Sequence, residues 1–184
     1  MPGPDYPWAV YLTGAVWHIR ATVHKINAII VHARPLDTPE SVGALREHPT
    51  TAYHYVVTET GAVIQLAPER GWTTHLGPAL EAKYEDRKTI GIALSGEPDQ
   101  SDWPADQVTG TARLLSVIRS VRGHIPVRDA ASICKPTGRI PPITAWPWLD
   151  MHRQIIRIAT PIDRIYDILR DAPDYPPEQF AEPD

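Results

Sequence analysis

Two histidines and the single cysteine of the chain are the side chains best suited to metal chemistry. His32 closes the apolar run NAIIVHA, and His124 and Cys134 share one loop after a glycine that stops a helix. Imidazole and thiolate are ligands that zinc favours, and a catalytic zinc site needs three protein ligands and an open position for water. His32, His124 and Cys134 therefore form a candidate zinc-binding set.

The same residues have other interpretations. Their spacing matches neither HExxH nor paired CxxC, and from spacing alone surface histidines and a cysteine that fills the core are the more common outcome. A nucleophilic Cys134 activated by His124 is a third interpretation. A reactive cysteine usually stands at the N-terminus of a helix, however, and SICKPTG contains no helix start.

The apolar patterns predict the elements that position these side chains. A short buried strand ends at His32, residues 52–68 read as a hairpin around TETG, and residues 89–96 form another buried strand. Residues 103–123 have apolar side chains at helical spacing and end in Gly123, as in an amphipathic helix. Strands alternate with helices around a central hairpin, which predicts an α/β fold with a mixed central β-sheet flanked by α-helices.

The length of 184 residues predicts one domain with additional segments at its ends. We expect an N-terminal extension over residues 1–25, a main domain over residues 26–160, and a C-terminal helix with a Pro-rich acidic tail or linker over residues 161–184. Residues 124–148 are expected to form a long loop punctuated by proline, and loops of that length are usually functional or disordered.

Composition excludes several classes of protein. Hydrophobic residues make up 42% of the chain, which is enough for a core, and the net charge of −4 provides no basic field for nucleic acid. No apolar run approaches the roughly 18 residues of a membrane span. The start MPGPDYPWAV lacks the basic and apolar regions of a signal peptide, so we expect synthesis in the cytoplasm without one.

The order of the motifs along the chain is more specific than any one of them. IIVH is followed by YHYVV and VIQL around a turn, then GW..H.G, IGIALSG, an amphipathic helix, and GH before a Pro-rich loop with a thiol. Over about residues 26–150 this order resembles the zinc-dependent N-acetylmuramoyl-L-alanine amidases of the type 2 family. These enzymes share the peptidoglycan recognition protein fold and include phage amidase endolysins.

The resemblance implies a function and a set of site residues. The expected activity is hydrolysis of the amide between N-acetylmuramic acid and L-alanine in peptidoglycan, with Zn2+ as cofactor and residues 26–160 as the catalytic domain. Position by position, the zinc ligands are His32, His124 and Cys134. Tyr53, which begins YHY, would orient the zinc-bound water or the scissile carbonyl. Ser132 stands where relatives carry Lys or Thr reaching toward the oxyanion.

Other positions refine this picture. His75 and Trp72 match the loop at the wall of the substrate groove and are expected to contact substrate, and Lys135 is an alternative to Ser132 as the oxyanion partner. Ala93 stands where many bacterial members have a glutamate that acts as general base, which favours the phage-type branch. We expect a monomer that acts on the bacterial cell wall. A bacterial recycling amidase, a different zinc hydrolase and a non-catalytic peptidoglycan-binding module of the same fold are the alternatives.

Overall fold

The computed structural model describes residues 5–12, 15–21, 25–36, 52–76, 84–133 and 142–159. Cys134, Lys135 and the predicted C-terminal segment 161–184 lie outside these ranges. The strands of the described part are β1 (Val10–Tyr11), β2 (His18–Ile19), β3 (Ala28–Arg34), β4 (Tyr55–Val57), β5 (Val63–Gln65), β6 (Gly71–Trp72), β7 (Thr89–Ser95) and β8 (Val127–Asp129). Its helices are α1 (Ala105–Arg122), α2 (Ala130–Ile133) and α3 (Trp148–Ala159), with a 3-10 turn at Asp86–Lys88.

Six strands form the central sheet in the order β1-β5-β4-β7-β3-β8. The pairs β1–β5, β4–β7, β7–β3 and β3–β8 are parallel, whereas the hairpin pair β4–β5 is antiparallel. The sheet is therefore mixed and carries helices, which confirms the predicted α/β fold. Strands β2 and β6 form a separate antiparallel pair.

Strands β3 and β7 lie at the centre of the sheet, and alternate residues along each strand point to opposite faces. One face, which we call the helix face, presents Ile29, Val31, Ile92 and Leu94 to the helices α1 and α3 in the main apolar cluster. The opposite face, which we call the site face, carries Ile30 and His32 of β3 and Gly91 and Ala93 of β7. The continuous apolar runs predicted for these strands follow from burial on both faces.

Helix α1 has the bounds that the apolar spacing predicts. It ends at Arg122, and the N–H of Gly123 donates to the carbonyl of Arg119 at 2.9 Å with φ of 80° at the glycine. The helix also approaches the β4–β5 turn so closely that a Cβ at Gly110 would lie 2.3 Å from the carbonyl oxygen of Gly61. This approach fixes α1 against the hairpin.

The predicted loop over residues 124–148 needs a correction, because it contains two short elements. Strand β8 pairs with β3, and α2 follows it without a break. The carboxylate of Asp129 accepts hydrogen bonds from the backbone N–H groups of Ala131 (3.1 Å) and Ile143 (3.2 Å), which ties the start of α2 to the chain leading into α3. Elements of three and four residues carry no periodicity, so local patterns did not predict them.

The N-terminal segment contributes to the main sheet through β1, which pairs with β5 at its edge. The side chain of Tyr6 donates to Glu69 at 2.8 Å, and the N–H of Asp5 donates to Gln65 at 2.7 Å. Residues 5–12 are therefore held by buried polar contacts as well as by strand pairing. Among the helices within the described ranges, none combines the length and apolar character needed to cross a bilayer.

Candidate functional site

His32 lies near the C-terminal end of β3 on the site face and is only 2% exposed. Its partner across the β3–β7 pair is Ala93. On the other side, Asp129 of β8 pairs with Val31, and the next residue, Ala130, follows at the level of His32. The residues on the two sides of His32 at its level are therefore alanines, and neither supplies a ligand.

His75 occupies the space next to His32. It follows β6 in the chain, is 4% exposed, and its Nδ1 lies 3.1 Å from Nε2 of His32. The ring of His75 lies over Gly91 of β7, where a Cβ would be only 2.6 Å from Cγ of the imidazole. The absence of a side chain at Gly91 therefore allows His75 to pack against the sheet beside His32.

The hydrogen bonds of the two imidazoles form a directed chain. The hydroxyl of Thr89 donates to the carbonyl oxygens of Glu85 (3.2 Å) and Asp86 (3.3 Å), so its oxygen accepts from Nε2–H of His75 at 3.0 Å. Nδ1 of His75 is then an acceptor for Nε2–H of His32, a tautomer assignment that follows from this network. The carboxylate of Asp86 also accepts the backbone N–H of His75 at 3.1 Å, which fixes the loop.

Burial keeps both imidazoles neutral. Desolvation, with a smaller effect of the Arg34 charge, lowers the pKa of His32 to about 3. Desolvation also holds the pKa of His75 well below its ordinary value, with further contributions from His32, His54 and Arg20. A neutral imidazole has one nitrogen with a free lone pair, which is the form that ligates metals.

Tyr53 lies beside His32. Its ring centroid is 5.0 Å from that of His32, and its hydroxyl accepts a hydrogen bond from Nε–H of Arg34 at 2.8 Å. The side chain is fully buried, and desolvation raises the pKa of the phenol despite the opposing effect of Arg34. Tyr53 therefore keeps its proton at neutral pH and has that proton to donate.

His124 does not lie beside His32, which corrects the predicted set of ligands. Parallel pairing sets Val127 opposite Ile29, and His32 lies three residues beyond that level, roughly 10 Å along the strand. His124 precedes Val127 and lies on the other side of that level. Ligand atoms on one zinc ion each lie about 2 Å from it, so His32 and His124 cannot share an ion in this fold.

The surroundings of His124 show the same separation. It is exposed and lines a groove on the helix face together with residues of α1 and α3. The groove is lined by Ser116, Val117, Arg119, Ser120, His124, Ile155, Ile156 and Ile158. This groove is therefore distinct from the site around His32, which lies on the opposite face of the sheet.

Ser132 is exposed on α2, and its hydroxyl donates to the carbonyl of Asp129 at 2.7 Å. The hydroxyl proton of Ser132 is therefore used in the hydrogen bond to Asp129 and is not available for the predicted contact with the oxyanion. The next residue, Ile133, packs against the apolar cluster of Ile30 and Leu76 on the site face. Cys134 follows Ile133 in the chain and lies outside the described residues, as does Lys135.

His75 and Trp72, which were predicted to contact substrate, instead contact other side chains of the protein. His75 has both ring nitrogens hydrogen-bonded inside the protein and almost no exposed surface, so its placement on the wall of a groove is corrected. Trp72 of β6 faces His18 of β2, and their rings stack with centroids 4.4 Å apart. The partly buried Trp72 therefore packs within the β2–β6 pair.

Two contributions were missed from the sequence. The partnership of His75 with His32 had a signal, because a glycine at the centre of a buried strand, Gly91 in IGIALSG, marks a close approach. The hydrogen bond from Arg34 to Tyr53 had no signal in the local sequence pattern. Within the described ranges no three His, Cys, Asp or Glu side chains come together as a metal site. A third ligand beside the His32–His75 pair would have to come from outside those ranges.

Comparisons with known proteins identify the family. Residues 22–160 match the Amidase_2 family, described as N-acetylmuramoyl-L-alanine amidase. Among curated protein sequences, none matches the chain at a significant level.

Solved structures show the same fold at low sequence identity. A selenomethionine derivative of AmpD has a TM-score of 0.67 at 15% identity, covering 82% of this chain and 96% of that one. The N-acetylmuramoyl-L-alanine amidase LysC from Clostridium intestinale URNW has a TM-score of 0.59 at 16% identity, covering 82% and 98%. Human PGRP-IBETAC, solved with glycosamyl muramyl pentapeptide, has a TM-score of 0.52 at 14% identity, covering 77% and 98%. The structures establish the shared fold, and the family match extends over most of the chain. The chain therefore belongs to the N-acetylmuramoyl-L-alanine amidase family and is an amidase of this class.

Proposed function

We propose that the chain hydrolyses the amide bond between the lactyl group of N-acetylmuramic acid and L-alanine in peptidoglycan. The observation that carries this proposal is the pairing of a neutral, buried His32 with a buried phenol, Tyr53, at the C-terminal end of β3. Family membership supplies the bond that is cut. The complex of the human recognition protein with a muramyl peptide supports a peptidoglycan fragment as the ligand of this fold.

Zinc is the cofactor that we propose. Bound at such a site, zinc supplies a water of lowered pKa and polarises the carbonyl of the substrate. The side chain of His32 suits one ligand position, because it is neutral and lies beside Tyr53 near the C-terminal end of β3. Cys134 remains a proposed ligand, whereas His124 is not retained because it lies beyond the other end of β8.

Tyr53 is the residue that we propose to stabilise the developing oxyanion. Arg34 donates to the phenol oxygen, which orients the hydroxyl and leaves its proton for a second partner. Because burial raises the pKa of Tyr53, the hydroxyl acts as a hydrogen-bond donor rather than as a base at neutral pH. Ser132 can join only if its hydroxyl rotates away from the carbonyl of Asp129.

Mass spectrometry of digested peptidoglycan tests the proposed reaction. Wild-type protein is expected to release peptides with a free N-terminal L-alanine. Tyr53→Phe is expected to lower the rate by on the order of 100-fold, which is typical for loss of one oxyanion donor. Tyr11→Phe, a change on the edge strand β1, is the matched control and is expected to retain full activity. Sedimentation with peptidoglycan but no released peptide would instead identify a non-catalytic binding module.

We further propose that the protein is a phage-type endolysin and acts on the assembled cell wall. The alanine at position 93, in place of the glutamate of many bacterial members, supports this branch. A recycling amidase prefers small soluble muropeptides, whereas an endolysin acts on intact sacculi. Comparing initial rates on purified sacculi and on soluble muropeptides decides between them, and a strong preference for the soluble fragment would refute the endolysin proposal.

A further inference from the structure

We infer that Arg34 is a catalytic residue of the proposed amide hydrolysis and that it donates directly to the oxyanion beside Tyr53. Its Nε–H holds the phenol oxygen, and an adjacent Nη–H would reach the oxygen to which the Tyr53 hydroxyl donates. This role rests on the proposed function. It gives the site a second, charged donor in the place that the sequence assigned to Ser132.

Arg34 reaches the site from the same strand as His32. Alternate residues of a strand share a face, so Arg34, two residues after His32, belongs to the site face at the C-terminal end of β3. The backbone is held there, because the N–H of Gly96 donates to the carbonyl of Arg34 at 2.7 Å. Arg34 is exposed, whereas Tyr53 is fully buried. The guanidinium therefore links the protein surface to the buried phenol.

The hydrogen bond to Tyr53 uses one nitrogen of the guanidinium. Nε–H of Arg34 donates to the phenol oxygen at 2.8 Å, and no other described residue accepts a hydrogen bond from this side chain. A guanidinium is planar, and N–H groups on its adjacent nitrogens bind two oxygens in parallel. A hydroxyl donates to an oxyanion at about 2.5–2.7 Å. The phenol oxygen and the oxyanion would therefore replace the two carboxylate oxygens that such a fork usually binds.

The charge of Arg34 already acts on the neighbouring side chains. Desolvation is the main cause of the low pKa of His32, and the Arg34 charge lowers it further. Desolvation also raises the pKa of Tyr53, and the Arg34 charge opposes that rise. Both effects of Arg34 are those of a cation that favours negative charge at this place. When water adds to the scissile carbonyl, negative charge develops on the carbonyl oxygen, and Arg34 would stabilise it in the same way.

The residue predicted to donate to the oxyanion leaves this role open. The hydroxyl of Ser132 donates to the carbonyl of Asp129 at 2.7 Å. Serine is also a neutral donor, whereas hydrogen bonds from a charged donor are shorter and roughly twice as strong. Arg34, which already contacts Tyr53, supplies such a donor.

Steady-state kinetics of Arg34→Gln, Tyr53→Phe and the double variant of the full chain test this role. We expect Arg34→Gln to lower kcat about 10–100-fold with KM nearly unchanged, since the contact forms only in the transition state and the arginine is exposed. In the Tyr53→Phe background it should still lower kcat at least about 3-fold, because a direct contact does not act through the phenol. A smaller loss there would show that Arg34 only positions Tyr53 and would overturn the inference, as would a rise in KM with unchanged kcat.

Arg34→Lys separates the charge from the fork and keeps the inference testable if Arg34→Gln does not fold. Lysine retains the cation but cannot bond two oxygens in parallel from one plane, so we expect kcat at least about 3-fold below that of wild type. Full kcat in Arg34→Lys would overturn the inference. Arg113→Gln, which removes an exposed arginine of α1, is the matched control and is expected to retain full kcat.

Calorimetric titration with a phosphinate provides a readout besides turnover. In this probe a tetrahedral anion replaces the scissile amide of N-acetylmuramoyl-L-alanine, and transition-state analogues of this kind report on contacts made to the oxyanion. We expect Arg34→Gln to bind the phosphinate at least about 3-fold more weakly than wild type, in line with its loss of kcat. A smaller loss of affinity would overturn the inference.

Failure of the inference is distinguishable from failure of the proposed reaction. A wild type that releases L-alanine-headed peptides while Arg34→Gln keeps full kcat overturns the inference and leaves amide hydrolysis in place. A wild type that releases no peptide refutes the proposed reaction, and the phosphinate titration then bears on Arg34 alone. Weaker binding by Arg34→Gln supports the inference in that case, and equal binding or none by the wild type overturns it.

Discussion

Replacing Gly91 with alanine would place a methyl group inside the contact distance of the His75 ring. The new Cβ would be 2.6 Å from Cγ and 2.8 Å from both Cδ2 and Nδ1 of the imidazole. Favourable contacts between carbon atoms lie at about 3.5–4.0 Å, so the ring must move by about 1 Å. A shift of that size is enough to break the 3.1 Å bond to His32.

The expected cost of Gly91→Ala follows from two effects. Overpacking of a well-packed interior costs about 1–3 kcal/mol, and a buried polar group that loses its partner costs about 1–3 kcal/mol. We therefore expect the free energy of unfolding to fall by about 2–6 kcal/mol. The backbone of Gly91 has no positive φ, so alanine adds no conformational strain of its own.

Urea denaturation followed by circular dichroism measures this cost, and a double-mutant cycle assigns it to His75. In a His75→Ala background the ring is gone, and Gly91→Ala is expected to cost less than about 1 kcal/mol. If Gly91→Ala costs the same in both backgrounds, the methyl group does not act through His75 and the reasoning is refuted.

Three further predictions concern the buried polar groups that support the fold. Burial, together with the Arg20 charge, lowers the pKa of His54 to about 3 from an ordinary value of 6.5. Between pH 6.5 and 3 the unfolded chain therefore binds a proton at His54 that the folded chain does not bind. The stability that comes from the neutral, buried His54 is complete above about pH 6.5 and is lost as the pH falls toward 3. Urea midpoints measured from pH 7.5 to 4.5 should fall more steeply for wild type than for His54→Gln, and parallel curves would contradict this. Glu69→Ala should cost about 2–5 kcal/mol because two buried tyrosine hydroxyls lose their acceptor. Arg122→Ala should cost less because that side chain is 38% exposed, and equal losses in urea denaturation would count against this assignment. Asp129→Ala should speed hydrogen exchange at the N–H of Ile143, which loses its acceptor, and unchanged exchange would show that this bond is not needed there.

Much of the central fold was predictable because its signals are local. Strands β3 and β7 are continuous apolar runs, the β4–β5 hairpin surrounds a glycine-containing turn, and α1 has a helical stripe with a glycine stop. The short elements β8 and α2 were not predictable in this way. They are defined by pairing with β3, a strand from the first quarter of the chain, and by hydrogen bonds to Asp129 rather than by their own sequence.

The error at His124 follows directly from the missed strand. A histidine after a helix stop was taken as a ligand because it opens the loop that contains Cys134. Strand β8 lies between His124 and Cys134 in the chain. A strand of three residues advances the chain by about 10 Å along the strand direction. His124 therefore lies before the strand, on the helix side, while the residues that reach the level of His32 are those after Asp129. His32 and Tyr53 lie close together because His32 belongs to β3 and Tyr53 precedes β4, two strands of the same sheet.

Small residues on the site face surround the two buried histidines, His32 and His75. Gly91 makes room for His75, and Ala93 and Ala130 flank His32 without competing for its nitrogens. A glutamate at position 93 would place a carboxylate beside His32 in the strand register, where burial of the charge would require a partner. With alanine there, the nitrogen of His32 that faces His75 has an uncharged partner inside the protein. Alanine at position 93 and the approach of His75 are therefore physically compatible features of one site, in which an imidazole from the neighbouring loop is the hydrogen-bond partner of the buried Nε2 of His32.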